Sequence, residues 1–145
     1  MSAIVPDVNV LVYAFRADSP EHERYAAWLN QAAQRDTIGL VDLVLAGFVR
    51  IVTNPKIMAD PAPASAALEF VRRLDDAARS TWFSQGRPAW EKLATLVEDD
   101  PGIRGNLVPD AHLASVCLAH RARLATRDRG FARFPGLDWF DPAPE

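Results

Sequence analysis

Apolar and polar positions along this chain follow two rhythms: short unbroken apolar stubs, and longer stretches that repeat with helical spacing. The stub Ala3-Ile4-Val5-Pro6 predicts a buried strand, and Asn9 to Phe15 a short helix leaving it. Ser19-Pro20-Glu21-His22 predicts a helix start, with Ser19 as N-cap and Pro20 in the first helical position. That helix runs to about Arg35, with Tyr25, Trp28, Leu29 and Ala32 on its apolar face. Thr37 to Val41 suits a second short strand. Asp42 then caps a helix through Leu43, Leu45, Phe48, Val49 and Val52, which Asn54-Pro55 stops. Pro61-Ala62-Pro63 is a loop. Ala64 to Arg79 is amphipathic, with Leu68, Val71 and Leu74 inward. Thr81-Trp82-Phe83 is a small strand, Pro88 starts a helix ending near Val97, and Glu98 to Gly102 is the turn after it. Asn106 to Asp110 opens the apolar run Ala111 to Ala119; strands at Arg123 to Thr126 and Leu137 to Phe140 finish the chain. Strands alternating with helices predict an α/β fold with a parallel sheet covered on both faces.

Composition narrows this picture only slightly. A length of 145 residues fits one domain, taken as residues 1–145. The net charge of −3 gives no global attraction to nucleic acid or to an anionic membrane. Local charge is more informative: Arg104, Arg121, Arg123, Arg127, Arg129 and Arg133 crowd the last third, which has no lysine. Either this chain prefers arginine throughout, or these guanidiniums form a phosphate-facing cluster. The single cysteine, Cys117, excludes an internal disulfide and reads as a small buried side chain. No stretch approaches the roughly 20 apolar residues of a membrane span, and the start lacks signal-peptide features, so a cytoplasmic protein is expected.

The candidate chemistry lies where the stubs end. Asp7 follows the first stub, and Asp128 follows Leu124-Ala125-Thr126-Arg127. If both stubs are parallel strands, these acids sit just past their carboxyl ends, the rim where open α/β sheets bind ligands. Asp110 opens the helix between them. Carboxylates converging there raise each other's pKa unless a cation intervenes, and a hard divalent ion with oxygen ligands is the natural counter-charge. Taken singly, each of these aspartates equally suits helix capping or a turn. His22, His112 and His120 are scattered and make no zinc spacing. Trp28, Trp82, Trp90 and Trp139 read as core and interface residues.

Four blocks in order carry a family resemblance over nearly the whole length: Asp7-Val8-Asn9 with Val10 to Ala14; Phe48 to Pro55; Asn106 to Ala114; and Leu124 to Phe131, with a tail reaching Leu137. Together they resemble a PIN domain of the VapC toxin type. The resemblance implies a PIN-like three-layer α/β/α sandwich with a central, mostly parallel sheet. It also implies an endoribonuclease dependent on Mg²⁺ or Mn²⁺, acting as the toxin of a type II toxin–antitoxin pair. Asp7, Asp110 and Asp128 match the first, third and fourth family acids, the expected metal ligands. Asn9 and Thr126 match the polar residues that steady them. The implied partners are cellular RNA, a small VapB-like antitoxin and a second copy of the chain in a homodimer.

Two positions depart from the family pattern. Its second acid, usually a Glu, falls near Gly47 in Leu45-Ala46-Gly47-Phe48, where neither Ala46 nor Gly47 can bind metal. Asp42 is the acid nearby, read either as a catalytic replacement or as an ordinary N-cap. Gly130 stands where many members carry an acid before the aromatic residue matching Phe131. These gaps keep open a second reading, a catalytically weakened scaffold that binds RNA or a protein partner without cleaving. A phospho-aspartate phosphatase would also place Asp7 after the first strand, but it needs a second Asp at Asn9 and a late lysine.

Overall fold

In the computed structural model, which describes residues 2–145, the short stubs form the sheet and the periodic stretches cover it. Strands β1 (Ile4–Pro6), β2 (Ile38–Leu40), β3 (Ser80–Trp82), β4 (Arg123–Ala125) and β5 (Trp139–Phe140) lie in the order β3-β2-β1-β4-β5. Every neighbouring pair is parallel, with Val5 opposite Leu124 and Leu40 opposite Trp82. β1 and β2 are buried along their whole length. Strands covered on both faces have no solvent side to supply polar residues, so their sequences read as continuous apolar runs.

The helices are α1 (Val8–Phe15), α2 (His22–Arg35), α3 (Asp42–Val52), α4 (Ala64–Asp75), α5 (Arg87–Asp99) and α6 (Val108–Ala119). Parallel crossovers are right-handed, so the steps from β1 to β2 to β3 put their helices on one face. There α1 packs on α2 and α3, and α3 on α4. The chain then doubles back. α5 packs on α6, and α6 on β4, across the other face, giving the three-layer α/β/α sandwich. A 3-10 turn, Arg129–Arg133, leads from β4 towards β5. Phe15, Phe48 and Phe70 meet with ring centroids 5.2–5.4 Å apart and lock α1, α3 and α4 together. The direction of travel reverses between β1 and β4, which opens a crevice at their carboxyl ends.

Several boundaries differ from the sequence expectation. α2 begins at His22, because the Ser19 hydroxyl is engaged with Glu21 and the Ser19 carbonyl accepts the His22 N–H, making a turn before the helix. α3 takes Val41 as its N-cap, so Asp42 is already helical. α4 stops at Asp75, whose carbonyl accepts the Ser80 hydroxyl while its carboxylate takes the Trp82 indole N–H at 2.9 Å. These bonds turn the chain into β3. Ala67 and Leu74 are the buried residues of α4, and Leu68 faces outward. Trp82 and Trp90 are exposed as well, so neither is a core residue.

Candidate active site

Asp7 sits at the junction of β1 and α1 and is 8% exposed. Its Oδ1 accepts the Val8 N–H at 2.7 Å, so it does cap α1. Its Oδ2 accepts the Thr126 hydroxyl at 2.7 Å and the Asn9 amide at 3.4 Å. Thr126 follows β4 and is fully buried, and its oxygen also accepts the Asp128 N–H at 3.0 Å and the Asn9 amide at 3.3 Å. The Asn9 carbonyl in turn accepts the Arg127 N–H at 3.2 Å. Asp7, Asn9, Thr126 and the backbone around Asp128 thus form one network that ties the end of β1 to the end of β4. Capping and clustering, alternatives from sequence, coexist here. Asp128 shows the same pairing of roles: its Oδ1 accepts the Gly130 N–H at 2.8 Å and caps the 3-10 turn.

Asp110 reaches the group from the other layer. It lies in the first turn of α6, behind Pro109, and is partly buried. Burial is the main reason its carboxyl is held above the usual range, with the charges of Asp128 and Asp7 adding to it. Asp7 is raised as well, chiefly by burial and also by Asp128, against the lowering effect of its bonds from Thr126 and Val8. Among the described residues none of these acids forms an ion pair. Cys117, buried on α6, has its thiol pushed up to about 12 by burial and then by Asp7, so it is an inert packing residue beneath the acids.

Asp42 stands apart from this group. It is exposed at the start of α3, where its Oδ1 accepts the Leu43 N–H at 3.0 Å and the side-chain amide of Gln85. Its charge contributes to neither Asp7 nor Asp110. Gly47 is closer to the network: a Cβ there would lie 3.3 Å from Val8 Cγ2, beside Asp7. Gly130 has a different consequence, since a Cβ there would come within 2.9 Å of Asp128 Oδ1. Its missing side chain leaves room for that carboxylate to fold back onto the turn.

Arg127, which in the sequence is one of a run of arginines, is tied down at the rim beside the acids. The Arg127 guanidinium pairs with Glu21 at 2.9 Å and stands 5.4 Å from the Tyr13 ring centroid. Nothing local in the sequence links Glu21, Tyr13 and Arg127; only the fold does.

This geometry suits a hard cation with an incomplete protein shell. The donors are carboxylate oxygens whose mutual repulsion lacks a counter-charge. No group of three His, Cys, Asp or Glu side chains among the described residues is gathered tightly enough to hold an ion alone. One or two direct carboxylates with waters and a phosphate oxygen is the way Mg²⁺ is usually held. Asp7, Asp110 and Asp128 are the side chains that could supply those carboxylates.

Comparison with known proteins follows the same lines. The PIN domain pattern matches residues 4–137. Ribonuclease VapC43 of Mycobacterium tuberculosis is 42% identical over 137 residues, covering 94% of this chain and 92% of the relative. Ribonuclease VapC33 of the same organism is 34% identical over 150 residues, covering 98% and 99%. In solved structures, VapBC2 from Rickettsia felis, bound to a DNA fragment from its promoter, matches with a TM-score of 0.69 at 21% identity over 95% of this chain and 97% of the other. The sarcin-ricin loop cleaving toxin VapC20 of Mycobacterium tuberculosis matches with a TM-score of 0.63 at 16% identity, over 94% and 99%. These last two likenesses are likenesses of fold.

Proposed function

The chain belongs to the PIN domain family, and from that premise we propose that it is the ribonuclease toxin of a toxin–antitoxin pair. It cleaves cellular RNA and so inhibits translation and growth. The observation that carries this reading is the Asp7–Asn9–Thr126 network at the sheet's switch point, with the Asp128 backbone bound into it and Asp110 near enough for the charges of Asp128 and Asp7 to raise its carboxyl. The cofactor is a divalent cation, Mg²⁺ or Mn²⁺. When bound, it supplies counter-charge to the scissile phosphate and acidifies a water for attack.

The chain's own residues do the positioning. Val8, Thr126 and Asn9 fix the plane of the Asp7 carboxylate by the hydrogen bonds that they donate. Asp110 and Asp128 come from separate elements, α6 and the turn after β4, and with Asp7 would supply the carboxylate oxygens that hold the cation. No side-chain base is needed at the reacting water, and none of the histidines is part of the Asp7 network: His22 bonds the Tyr13 carbonyl and His120 the Ser84 carbonyl.

The protein partner is a small VapB-like antitoxin that covers the acid rim. The chain itself pairs as a homodimer, for which Trp90, 64% exposed on α5, and Val97 two turns later offer an unpartnered apolar stripe. No helix among the described residues is long and apolar enough to cross a membrane. We place the protein in the cytoplasm, where its RNA is.

A catalytically weakened scaffold is favoured by one specific observation: position 47, beside Val8, offers no acid, and the Asp42 carboxylate is engaged by Leu43 and Gln85. Incubating purified protein with RNA in Mg²⁺, in Mn²⁺ and in chelator separates the readings. The ribonuclease reading expects cleavage that stops in chelator and in both Asp7→Asn and Asp128→Asn. RNA binding without cleavage in any cation would leave the scaffold. Cleavage surviving chelator or both substitutions would overturn the metal site.

A further inference from the structure

Resting on the ribonuclease reading, we propose that a groove beside Asp128 seats one nucleotide of the RNA flanking the cut. Its base packs against Trp139 and its phosphate is held by Arg129. The groove has a volume of about 400 Å³ and is lined by Arg127, Arg129, Trp139, Phe140, Asp141 and Pro144, among others. That volume falls in the range of small-molecule sites, roughly 300–1,000 Å³.

Its position ties it to the acids. Arg127 and Arg129 flank Asp128 in the chain, and the Phe140 carbonyl accepts the Thr126 N–H at 2.9 Å. An occupant of the groove therefore lies next to the network that holds Asp7. The walls differ in how far they are already committed. Arg127 is anchored by Glu21 and Tyr13. Phe140 has the Arg123 guanidinium 4.1 Å from its ring centroid and Trp28 against it edge-on at 6.0 Å. Asp141 accepts the hydroxyl of buried Tyr25 at 2.7 Å and the Ala143 N–H at 3.1 Å, so its carboxylate is occupied in holding the tail that forms the Pro144 wall. Arg129 remains, with the part of Trp139 that does not pack on the core. Trp139 is half-buried, and Arg129 is exposed and makes no ion pair among the described residues.

A guanidinium beside an aromatic ring is the pairing that single-stranded nucleic acid uses, one group for the phosphate and one for the base face. A strand seated this way continues across Arg129 to Asp128, which brings the next phosphate towards the carboxylates. The overall charge of −3 gives no long-range pull on RNA, so local contacts of this kind have to hold the strand in register.

The test measures binding of fluorescein-labelled oligouridylate and oligoadenylate by anisotropy across a range of KCl, in an Asp7→Asn background where no strand is cut. Arg129→Ala should raise Kd about tenfold for both strands and lower the salt slope by about 1. Trp139→Leu should raise Kd about tenfold with the salt slope unchanged, because stacking releases no counterion. Parent protein that binds RNA, with both variants matching its Kd and slope, would overturn the groove and leave the ribonuclease reading intact. If the parent binds no RNA and the wild type cuts none, both readings fall. Variants that keep RNA affinity but fail to bind a purified VapB-like antitoxin that the parent binds would overturn the proposal in favour of a peptide groove. Arg129 is a surface residue, so its variant decides the matter even if Trp139→Leu misfolds.

Discussion

The Thr126 hydroxyl donates to Asp7 Oδ2 at 2.7 Å, joining residues 119 positions apart in sequence. The same oxygen accepts the Asp128 N–H, so one buried hydroxyl orients one acid and places the backbone of another. Thr126→Val keeps the shape and removes both of these bonds together with the one from the Asn9 amide. It should cost about 1–3 kcal/mol of stability, the usual penalty for stranding buried polar groups, and lower kcat by about tenfold or more. Thr126→Ser should retain most of the activity. Cleavage rates and denaturant midpoints for the two variants check this; a Val variant as active as wild type would remove Thr126 from the site.

Stability should respond to pH in a direction set by the acids. Asp7 and Asp110 both titrate above the usual carboxylate value of 3.8 when folded. As pH rises from about 4, the unfolded chain releases those protons before the folded one does, so metal-free protein loses stability across that window. Below it the penalty is absent, and above it the penalty is constant. Asp110→Asn should flatten the curve, and saturating Mg²⁺ should raise Tm most above the window, where the carboxylates are charged. Thermal melts in chelator from pH 4 to 7 test this. Parallel curves for wild type and Asp110→Asn would contradict it.

Magnesium dependence should be indifferent to Asp42. Its carboxylate is spent on Leu43 and Gln85 at an exposed helix start, so Asp42→Asn should leave the Mg²⁺ concentration for half-maximal cleavage unchanged. Gly47→Glu should lower that concentration, since position 47 faces Val8 beside Asp7 and Val8 has only to yield by a few tenths of an ångström. RNA cleavage against Mg²⁺ for both variants is the measurement. A rise for Asp42→Asn would return Asp42 to the site.

The apolar stripe on α5 gives a test of assembly. If the proposed homodimer uses this stripe, Trp90→Glu should leave only monomer in light scattering while keeping the far-UV spectrum intact, because an exposed indole contributes little to the fold. An unchanged mass would put the dimer interface elsewhere.

What the sequence disclosed follows from where the physics is local. Asp7 was legible because it ends an apolar stub too short for anything but a buried strand, and Thr126 because it ends another. The alternation of elements carried the parallel sheet. The two readings of Asp42 could not be separated from sequence, because proximity along a helix says nothing about which partners a side chain finds; here they are Leu43 and Gln85. Leu68 was misassigned for a related reason: α4 buries Ala67 and Leu74, a stripe whose phase depends on its packing against α3. Ser19 has the chemistry of a cap, yet its hydroxyl is taken by Glu21, and Glu21 is itself turned towards Arg127. The Trp139 groove was invisible from sequence, since its walls come from the turn after β4, from β5 and from the final residues.

A ribosome making this chain delivers Asp7 near the start and Asp128 near the end. At about 5–20 residues per second, the interval between them lasts roughly 6–24 seconds. Through that time β1 waits beside an empty place, because Val5 pairs with Leu124 and Pro6 with Ala125. The nascent chain can gather β2, β3 and their helices, but Asp7 has no Thr126 to orient it and no Asp128 beside it. A product stalled or clipped before β4 therefore carries Asp7 and Asp110 without Thr126 or Asp128, and the network that orients Asp7 does not form. The strand order thus makes the Asp7–Thr126 bond wait for β4, so the site is assembled by a pairing across 119 residues and not by the segment that carries Asp7.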